Sequence, residues 1–102
     1  MAKLICIYWR DIPAQVVGRV GRNNFKKELE PRFAQAIDRA AMRAGRGSSD
    51  AYLEDWRRET EMVSGDIEAM VAERVAKLEN EFNEEYLETV VKAGGVVGES
   101  KE

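Results

Sequence analysis

The chain opens with an uninterrupted apolar run from Leu4 to Trp9, and a breaker containing Pro13 follows it within four residues. The run is rich in β-branched and aromatic side chains, which favour a strand, and proline cannot donate a hydrogen bond to a sheet ladder. A sheet with one apolar face must cover that face with other elements. The opening therefore predicts a layered domain built on strand one.

Two further segments have the composition of strands. Residues 14–20 are rich in valine, and Gly18 within them predicts a bulge or a close backbone approach. Residues 21–24 then read as a loop. Residues 57–63 fit either a helix or a half-exposed strand, and we favour the strand because Gly65 and Asp66 start a new helical pattern with its own N-cap.

Helical patterns fill the rest of the chain. One helix is predicted from Pro31 to a terminating Gly45, and a short one begins at Ser49 or Asp50. A last helix over 67–91, with a kink or restart near residues 83–85, ends before Gly94.

These elements predict an α+β fold, a small two-layer sandwich in which two main helices cover a two- or three-stranded antiparallel sheet, in the order β-β-α-(α)-β-α. Residues 1–93 are predicted to form a single domain and residues 94–102 a flexible C-terminal tail. The length of 102 residues allows one modest hydrophobic core and no second domain.

Charge is divided unequally along the chain. The first 58 residues contain 12 basic and 7 acidic side chains, whereas the remainder contains 4 basic and 12 acidic ones. Such an asymmetry can steer a charged partner toward one part of the molecule. Alternatively, the two halves neutralise one another where they pack, and the sequence leaves both readings open.

The composition argues against catalysis. The chain has no histidine, which excludes histidine-activated nucleophiles and zinc sites of the Cys and His type. Its single Cys6 lies in the apolar opening run and is expected to be a buried structural thiol in a reducing compartment. The glutamates of residues 81–88 fall at helical spacing and read as a solvated face. We therefore predict no enzyme, no catalytic residues, no cofactor and no metal.

The apolar opening is too short for a signal-peptide core or a membrane span. A soluble, cytoplasmic protein without a membrane partner is expected.

An arginine-rich helix face is the main candidate for binding. At 100° per residue the arginines of the first helix share a face, which we call the arginine ridge: Arg32, Arg39, Arg43 and Arg46. Guanidinium groups bind carboxylates and phosphates bidentately. A sequence pI near 5.1 disfavours nucleic acid, so the expected partner is a protein with an acidic surface. Pairing of the ridge with glutamates of the last helix is the alternative.

Tryptophan and arginine dominate protein interfaces, so four more residues join the predicted partner-binding set: Trp9, Arg10, Asp11 and Trp56. The second face of the sheet, with alternate residues of strand one and either Tyr8 or Trp9, is a further candidate docking surface. A homodimer through the edge of strand one or through the last helix stays open.

A small anionic ligand or cofactor is the alternative to a protein partner. Its site would use Arg10, Asp11, Arg19 and Arg22. The segment from Gly18 to Arg22 suggests a phosphate loop only superficially, because it lacks the P-loop lysine and the following Ser or Thr.

Three segments together resemble a known family: WRDIPAQV at 9–16, RFAQAIDRAA at 32–41 and YLEDWR at 52–57. The chain resembles, over about residues 3–92, the small bacterial virulence factor domain that also occurs in conserved virulence factor C proteins. The resemblance implies an association with virulence and the company of one-carbon and corrinoid methyl-transfer proteins, as an accessory subunit. It brings no catalytic residues.

Overall fold

The computed structural model describes residues 2–45 and 49–96. Their sheet has four antiparallel strands in the order β3-β2-β1-β4. The strands are β1 (Ala2–Trp9), β2 (Ile12–Val20), β3 (Asn23–Glu28) and β4 (Trp56–Val63). The α+β class is confirmed, and so is the strand predicted over 57–63.

The strand count was too low, because β3 occupies part of the predicted loop. Only Gly21 and Arg22 separate β2 from β3, with Gly21 at φ 57° in the left-handed region that a tight turn requires. The β3 sequence has a single apolar residue, Phe25. An edge strand that is exposed to water needs no regular apolar alternation, which is why pattern reasoning missed it.

Within the described residues four helices accompany the sheet: α1 (Pro31–Arg43), α2 (Ser49–Glu54), α3 (Ile67–Glu81) and α4 (Glu84–Lys92). The predicted N-cap at Asp66 is confirmed, since its side chain accepts a hydrogen bond from the backbone N–H of Ala69 at 3.3 Å. The predicted interruption of the last helix is a restart. There the Asn83 side chain accepts from the N–H of Tyr86 at 2.8 Å and caps α4.

One face of the sheet packs on the helices. Leu4 and Cys6 of β1 and Val16 of β2 join the helix residues in the hydrophobic core. Cys6 is buried, as expected. A Cβ atom at Gly18 would lie 2.7 Å from side-chain carbons of both Ile67 and Val71, so the close approach predicted at this glycine is confirmed. Helix α3 therefore lies directly on β2.

The end of the sheet that contains Trp9 and Ile12 lies beyond a β-bulge. The register of β1 against β2 shifts between Ile7 and Tyr8, and Ala14 is passed over. Trp9 and Ile12 pair past this point and are both 0% exposed. Strand β2 thus begins two residues earlier than predicted and includes Pro13, at a level where β3 does not pair with it.

The folded part of the chain continues past the predicted domain end at residue 93. Gly94 and Gly95 are buried, and a Cβ atom at Gly95 would lie 2.7 Å from Cζ3 of Trp9. Both glycines have positive φ, of 77° and 91°. The residues 94–95 assigned to a flexible tail therefore pack on β1, while residues 97–102 lie outside the described part of the chain.

Candidate interaction surface

The two-residue turn between β1 and β2 fastens the start of β4 and the end of α4 to the sheet. Arg10 donates from its backbone N–H to the carbonyl of Asp55 at 2.9 Å, and from Nε to the carboxylate of the same residue at 3.2 Å. Its Nη1 donates to the carbonyl of Gly94 at 3.0 Å. The N–H of Asp11 donates to the carbonyl of Gly95 at 2.9 Å. We call this set of contacts the turn anchor.

Arg57, at the start of β4, binds the turn from the other side. Its Nε donates to the carbonyl of Arg10 at 2.8 Å and its Nη2 to Asp11 Oδ1 at 3.1 Å. Its guanidinium also pairs with Glu59 and lies 4.6 Å from the ring centroid of Tyr8. Burial raises the pKa of Tyr8 to about 12, so its phenol stays neutral at physiological pH.

The aromatic residues of the predicted partner-binding set differ in exposure. Trp9 is fully buried, and its indole N–H donates to the carbonyl of Tyr52 at 3.0 Å. A partner has no surface of Trp9 to contact in this fold, which corrects its place in that set. Trp56 is half-buried, with its ring perpendicular to that of Tyr52 at 5.8 Å between centroids.

The first arginine of the ridge is part of the helix packing. Arg32 donates to the backbone carbonyls of Glu79, at 2.8 Å, and Phe82, and to the carboxylate of Glu30 at 2.7 Å. These carbonyls belong to the last turn of α3 and its C-cap, where no intrahelical donor reaches them. Arg32 therefore acts as a cap for α3, with its side chain 24% exposed.

The next two ridge arginines contact α4. Arg39 forms a bidentate pair with Glu88, at 3.0 and 2.8 Å, which lowers the pKa of that carboxylate. Arg43 donates from Nε to the carbonyl of Lys92 at 3.1 Å. The pairing with the last helix that the sequence left open is thus present for Arg39. Arg46 lies outside the described residues.

The four residues of the alternative ligand site do not come together. Arg10 and Asp11 are engaged in the turn anchor at one end of the β1–β2 hairpin, whereas Arg19 lies opposite Lys3 at the other end. Ile12 and Arg19 are seven positions apart along β2, which is about 23 Å of extended chain. No single small anion spans this distance.

The face of the sheet turned away from the core is uncovered by the described helices. Cross-strand partners share a face, so the pairing of Ile5 with Val17 and Thr60 identifies its centre. We call this face the sheet platform: Lys3, Ile5, Ile7, Gln15, Val17, Arg19, Lys26, Arg58, Thr60 and Met62. Trp9, one of the two residues expected here, alternates with Ile5 and Ile7 in the register of β1 with β4, but it is fully buried and adds no surface to the sheet platform. Tyr8 alternates with Leu4 and Cys6 on the other face.

The sheet platform has an aliphatic centre and a cationic rim. Ile5 is 6% exposed, Ile7 and Val17 are half-buried, and Met62 is 57% exposed. The rim cations are all exposed, and none of them forms an ion pair with another residue in the described ranges 2–45 and 49–96: Lys3, Arg19, Lys26 and Arg58. Arg19 donates only to the amide oxygen of Asn24, at 3.0 Å. The platform is therefore positively charged, with Glu28 at its margin beside Gln15.

The opposite side of the molecule is acidic. Five exposed glutamates lie on α3 and α4: Glu68, Glu73, Glu81, Glu84 and Glu85. We call the exposed surface of α3 and α4 the acidic helical layer. The charge division along the sequence corresponds to the sheet platform and this layer only in part, because Arg39 and Arg43 of the basic half contact α4.

A half-open cavity of about 420 Å³ adjoins the platform, and we call it the end pocket. Its walls are largely carbon: Leu29, Pro31, Ala34, Ile37, Tyr52 and Trp56. Gln15 and Glu28 are the polar residues that line it. Gln15 and Trp56 also line a shallower depression with Ile7 and Arg58, so the pocket and the platform share a border.

A family model matches most of the chain. The family model for virulence factor matches residues 7–91, which run from β1 to the last turn of α4. The chain belongs to the virulence factor family. No curated protein and no solved structure matches it. Membership of the virulence factor family is consistent with an association with virulence.

The most distinctive segment of this virulence factor family member, WRDIPAQV at 9–16, is accounted for by structure. Trp9 fills the core at the end of the sheet, and Arg10 and Asp11 form the turn anchor. These three residues therefore take part in closing the fold. Sequence reasoning had assigned these same residues to a partner.

Sequence reasoning missed the rim of the platform. Lys3, Ile5 and Ile7 alternate in β1, and this period of two was available as a signal for one sheet face. Arg19 is assigned to the ligand site by the sequence, and Lys26 lies in the unpredicted β3. Without β3 and the register, these cations could not be placed on one surface.

Two further observations concern the described residues alone. None of their helices is long and apolar enough to cross a membrane. In the same ranges, no group of three or more Cys, Asp and Glu side chains is arranged to hold a metal ion.

Proposed function

We propose that this domain is a non-catalytic protein-interaction module that binds an acidic partner on the sheet platform. The observation that supports it is an open sheet face with the half-buried Ile7 and Val17 at its centre and four cations that lack ion pairs among the described residues. Surfaces with an apolar centre and a polar rim are typical of protein interfaces. A cationic rim favours a partner with carboxylates and speeds its approach.

The platform is a better candidate than the arginine ridge, because its cations form no ion pair among the described residues that a partner would have to replace. Arg32 and Arg39 each satisfy several donors within the chain. A partner on the ridge would have to replace these contacts. A partner on the platform gains hydrogen bonds to Arg58 and Lys26 without that loss.

A protein partner is favoured over nucleic acid by the chemistry of the platform. None of its ten residues is aromatic, whereas proteins that bind single strands stack bases on aromatic rings. The acidic helical layer would also repel a polyanion that extended beyond the platform. Its aliphatic centre instead matches apolar side chains of a protein.

Family resemblance gives a first class of partner to examine, the enzymes of one-carbon and corrinoid methyl transfer. In that setting the domain would be an accessory subunit that supplies no reacting group. The proposed absence of catalysis is supported by the lack of histidine and by the absence of buried charged side chains from the described core.

The test is affinity capture of the tagged protein from its native cell extract, followed by reconstitution of the complex from purified components. The decisive variant is Lys3→Glu/Arg58→Glu, which reverses two exposed platform charges. We expect it to weaken the reconstituted complex at least tenfold, and we expect wild-type affinity to fall as salt rises.

The matched control exchanges a ridge pair, Arg39→Glu/Glu88→Arg, which moves two charges while keeping an ion pair between α1 and α4. Wild-type affinity is expected for this control. A complex that survives platform reversal, or one that the ridge exchange abolishes, would refute the proposal. The same holds if no partner can be reconstituted.

A further inference from the structure

The end pocket lies where a segment crossing the platform would leave the sheet. It shares Gln15 and Trp56 with the depression beside Arg58, so one bound segment can contact the platform and the pocket together. Its volume of about 420 Å³ falls within the range of pockets that bind small groups in proteins. A cavity of this size in a domain this small is a candidate for binding.

The side chains that line the end pocket favour an apolar group of the bound segment over a charged one. Aliphatic side chains of Leu29 and Ile37 and the ring of Trp56 face the cavity, and Glu28 is the charged residue among those that line it. A carboxylate entering the pocket would therefore approach a like charge and lose water without gaining a cation. Carboxylates on either side of the apolar group would instead meet Arg58 and Lys26 on the platform.

We infer that the end pocket receives one apolar side chain, of leucine or aromatic size, from the acidic segment that binds the platform. The inference rests on the proposed function and specifies its partner: acidic residues with a single apolar anchor. Interfaces commonly concentrate their affinity in a few residues seated in well-packed pockets, and tryptophan and tyrosine are enriched among those residues. Here Tyr52 and Trp56 form one wall of the pocket, with their rings perpendicular to one another.

The experiment uses the full chain labelled with ¹⁵N and three blocked nonapeptides. The first has a central leucine among aspartates and glutamates, the second has alanine in its centre, and the third keeps leucine but has lysines in place of the acids. Amide shifts of Ala34 and Trp56 report the pocket, and those of Ile5 and Thr60 report the platform.

We expect the acidic leucine peptide to shift both sets of amides and to bind at least tenfold more tightly than the alanine peptide, because leucine has three more carbons to bury in the pocket. The lysine peptide is expected to leave the platform amides unchanged. The variant Ala34→Leu fills the pocket from an exposed position of α1 and should bring the two acidic peptides to equal affinity. Ala72→Leu, the same change at an exposed position of α3, should retain the tenfold difference.

The experiment distinguishes failure of the apolar anchor from failure of the proposed function. Equal affinity of the two acidic peptides for the unmodified protein, with the platform amides shifted, would overturn the anchor and leave the proposed function standing. Three results would overturn both the anchor and the proposed function. They are platform amides that shift with neither acidic peptide, platform amides that shift more strongly with a single-stranded oligonucleotide, and platform amides that shift with protein concentration alone.

Discussion

The arginine ridge and the sheet platform have similar charge but use it in opposite ways. On the ridge, Arg32 caps α3 and Arg39 pairs with Glu88, so these cations hold the helices together. On the platform, Lys3 and Arg58 have no ion pair with the described residues and extend into solvent. The first region stabilises the fold, and the second is available to a partner.

The difference shows that the number of cations on a face does not measure its capacity to bind. What matters is how many acceptors the fold already supplies to them. A helix buried on one side places its arginines beside the carbonyls and carboxylates of the next helix. An open sheet face has no neighbouring element to supply acceptors.

The largest effect should follow from removing a ridge arginine that serves as a cap. Arg32→Ala leaves the carbonyls of Glu79 and Phe82 without their donor, and we expect it to lower the free energy of unfolding by about 2 to 3 kcal/mol. Urea denaturation followed by circular dichroism measures this loss.

The matched variant on the platform is Arg58→Ala, for which we expect a change within about 0.5 kcal/mol. If the two variants were equally stable, the ridge and the platform would not differ as described. The division of the arginines into structural and available ones would then be wrong.

Gly18 and Val17 are adjacent in β2 but lie on opposite faces of the sheet, so they extend the comparison between the packed region and the platform. Gly18→Ala places a Cβ atom 2.7 Å from the side chains of Ile67 and Val71, and we expect a loss of about 1 to 3 kcal/mol from overpacking. Val17→Ala also puts alanine in β2 but on the platform, where no helix packs. Its cost should stay below about 1 kcal/mol, and the reverse order in thermal unfolding would contradict the assignment of the faces.

Much of the fold follows from local signals in the sequence. The strand from Leu4 to Trp9, the close approach at Gly18 and the cap at Asp66 are each specified by a few neighbouring residues, and each is present. Strand β3 could not be predicted in this way, because an edge strand owes its existence to its partner β2 more than to its own composition.

The candidate site was harder to predict than the fold. Whether Arg39 faces a partner or Glu88 depends on how α1 packs on α4, a contact between residues 49 positions apart. Likewise, Trp9 and Trp56 are both tryptophans, yet Trp9 is completely buried because Gly95 lies against its ring. Such distinctions arise from tertiary packing, which periodicity alone does not specify.

A substitution in the turn anchor also tests the distinction between structural and available arginines, with a smaller expected effect on stability. Arg10 has a φ of 54°, a conformation that glycine adopts without strain, so Arg10→Gly would be stabilising if the side chain did nothing. Because its guanidinium donates to Asp55 and to the carbonyl of Gly94, we instead expect a net loss of about 1 to 2 kcal/mol. Chemical denaturation measures the sign, and a gain in stability would place Arg10 among the available cations.

The smallest effect is expected at the exposed pair of Arg39 and Glu88, and its pH dependence tests whether the ridge is engaged. The hydrogen bond from Arg39 holds the pKa of Glu88 below its usual value of 4.5. The folded state therefore binds this proton less readily than the unfolded chain does. The resulting stability is present above about pH 4.5 and is lost as the pH falls through the lowered pKa.

We expect the stability difference between the wild type and Arg39→Gln to shrink below pH 4.5, and at neutral pH to shrink as salt is added. Arg58→Gln on the platform should show neither dependence, since no carboxylate among the described residues pairs with it. A ridge variant that behaved like the platform variant in both titrations would mean that Arg39 is as available to a partner as Arg58. Charge reversal of the ridge would then be expected to weaken the complex as much as charge reversal of the platform.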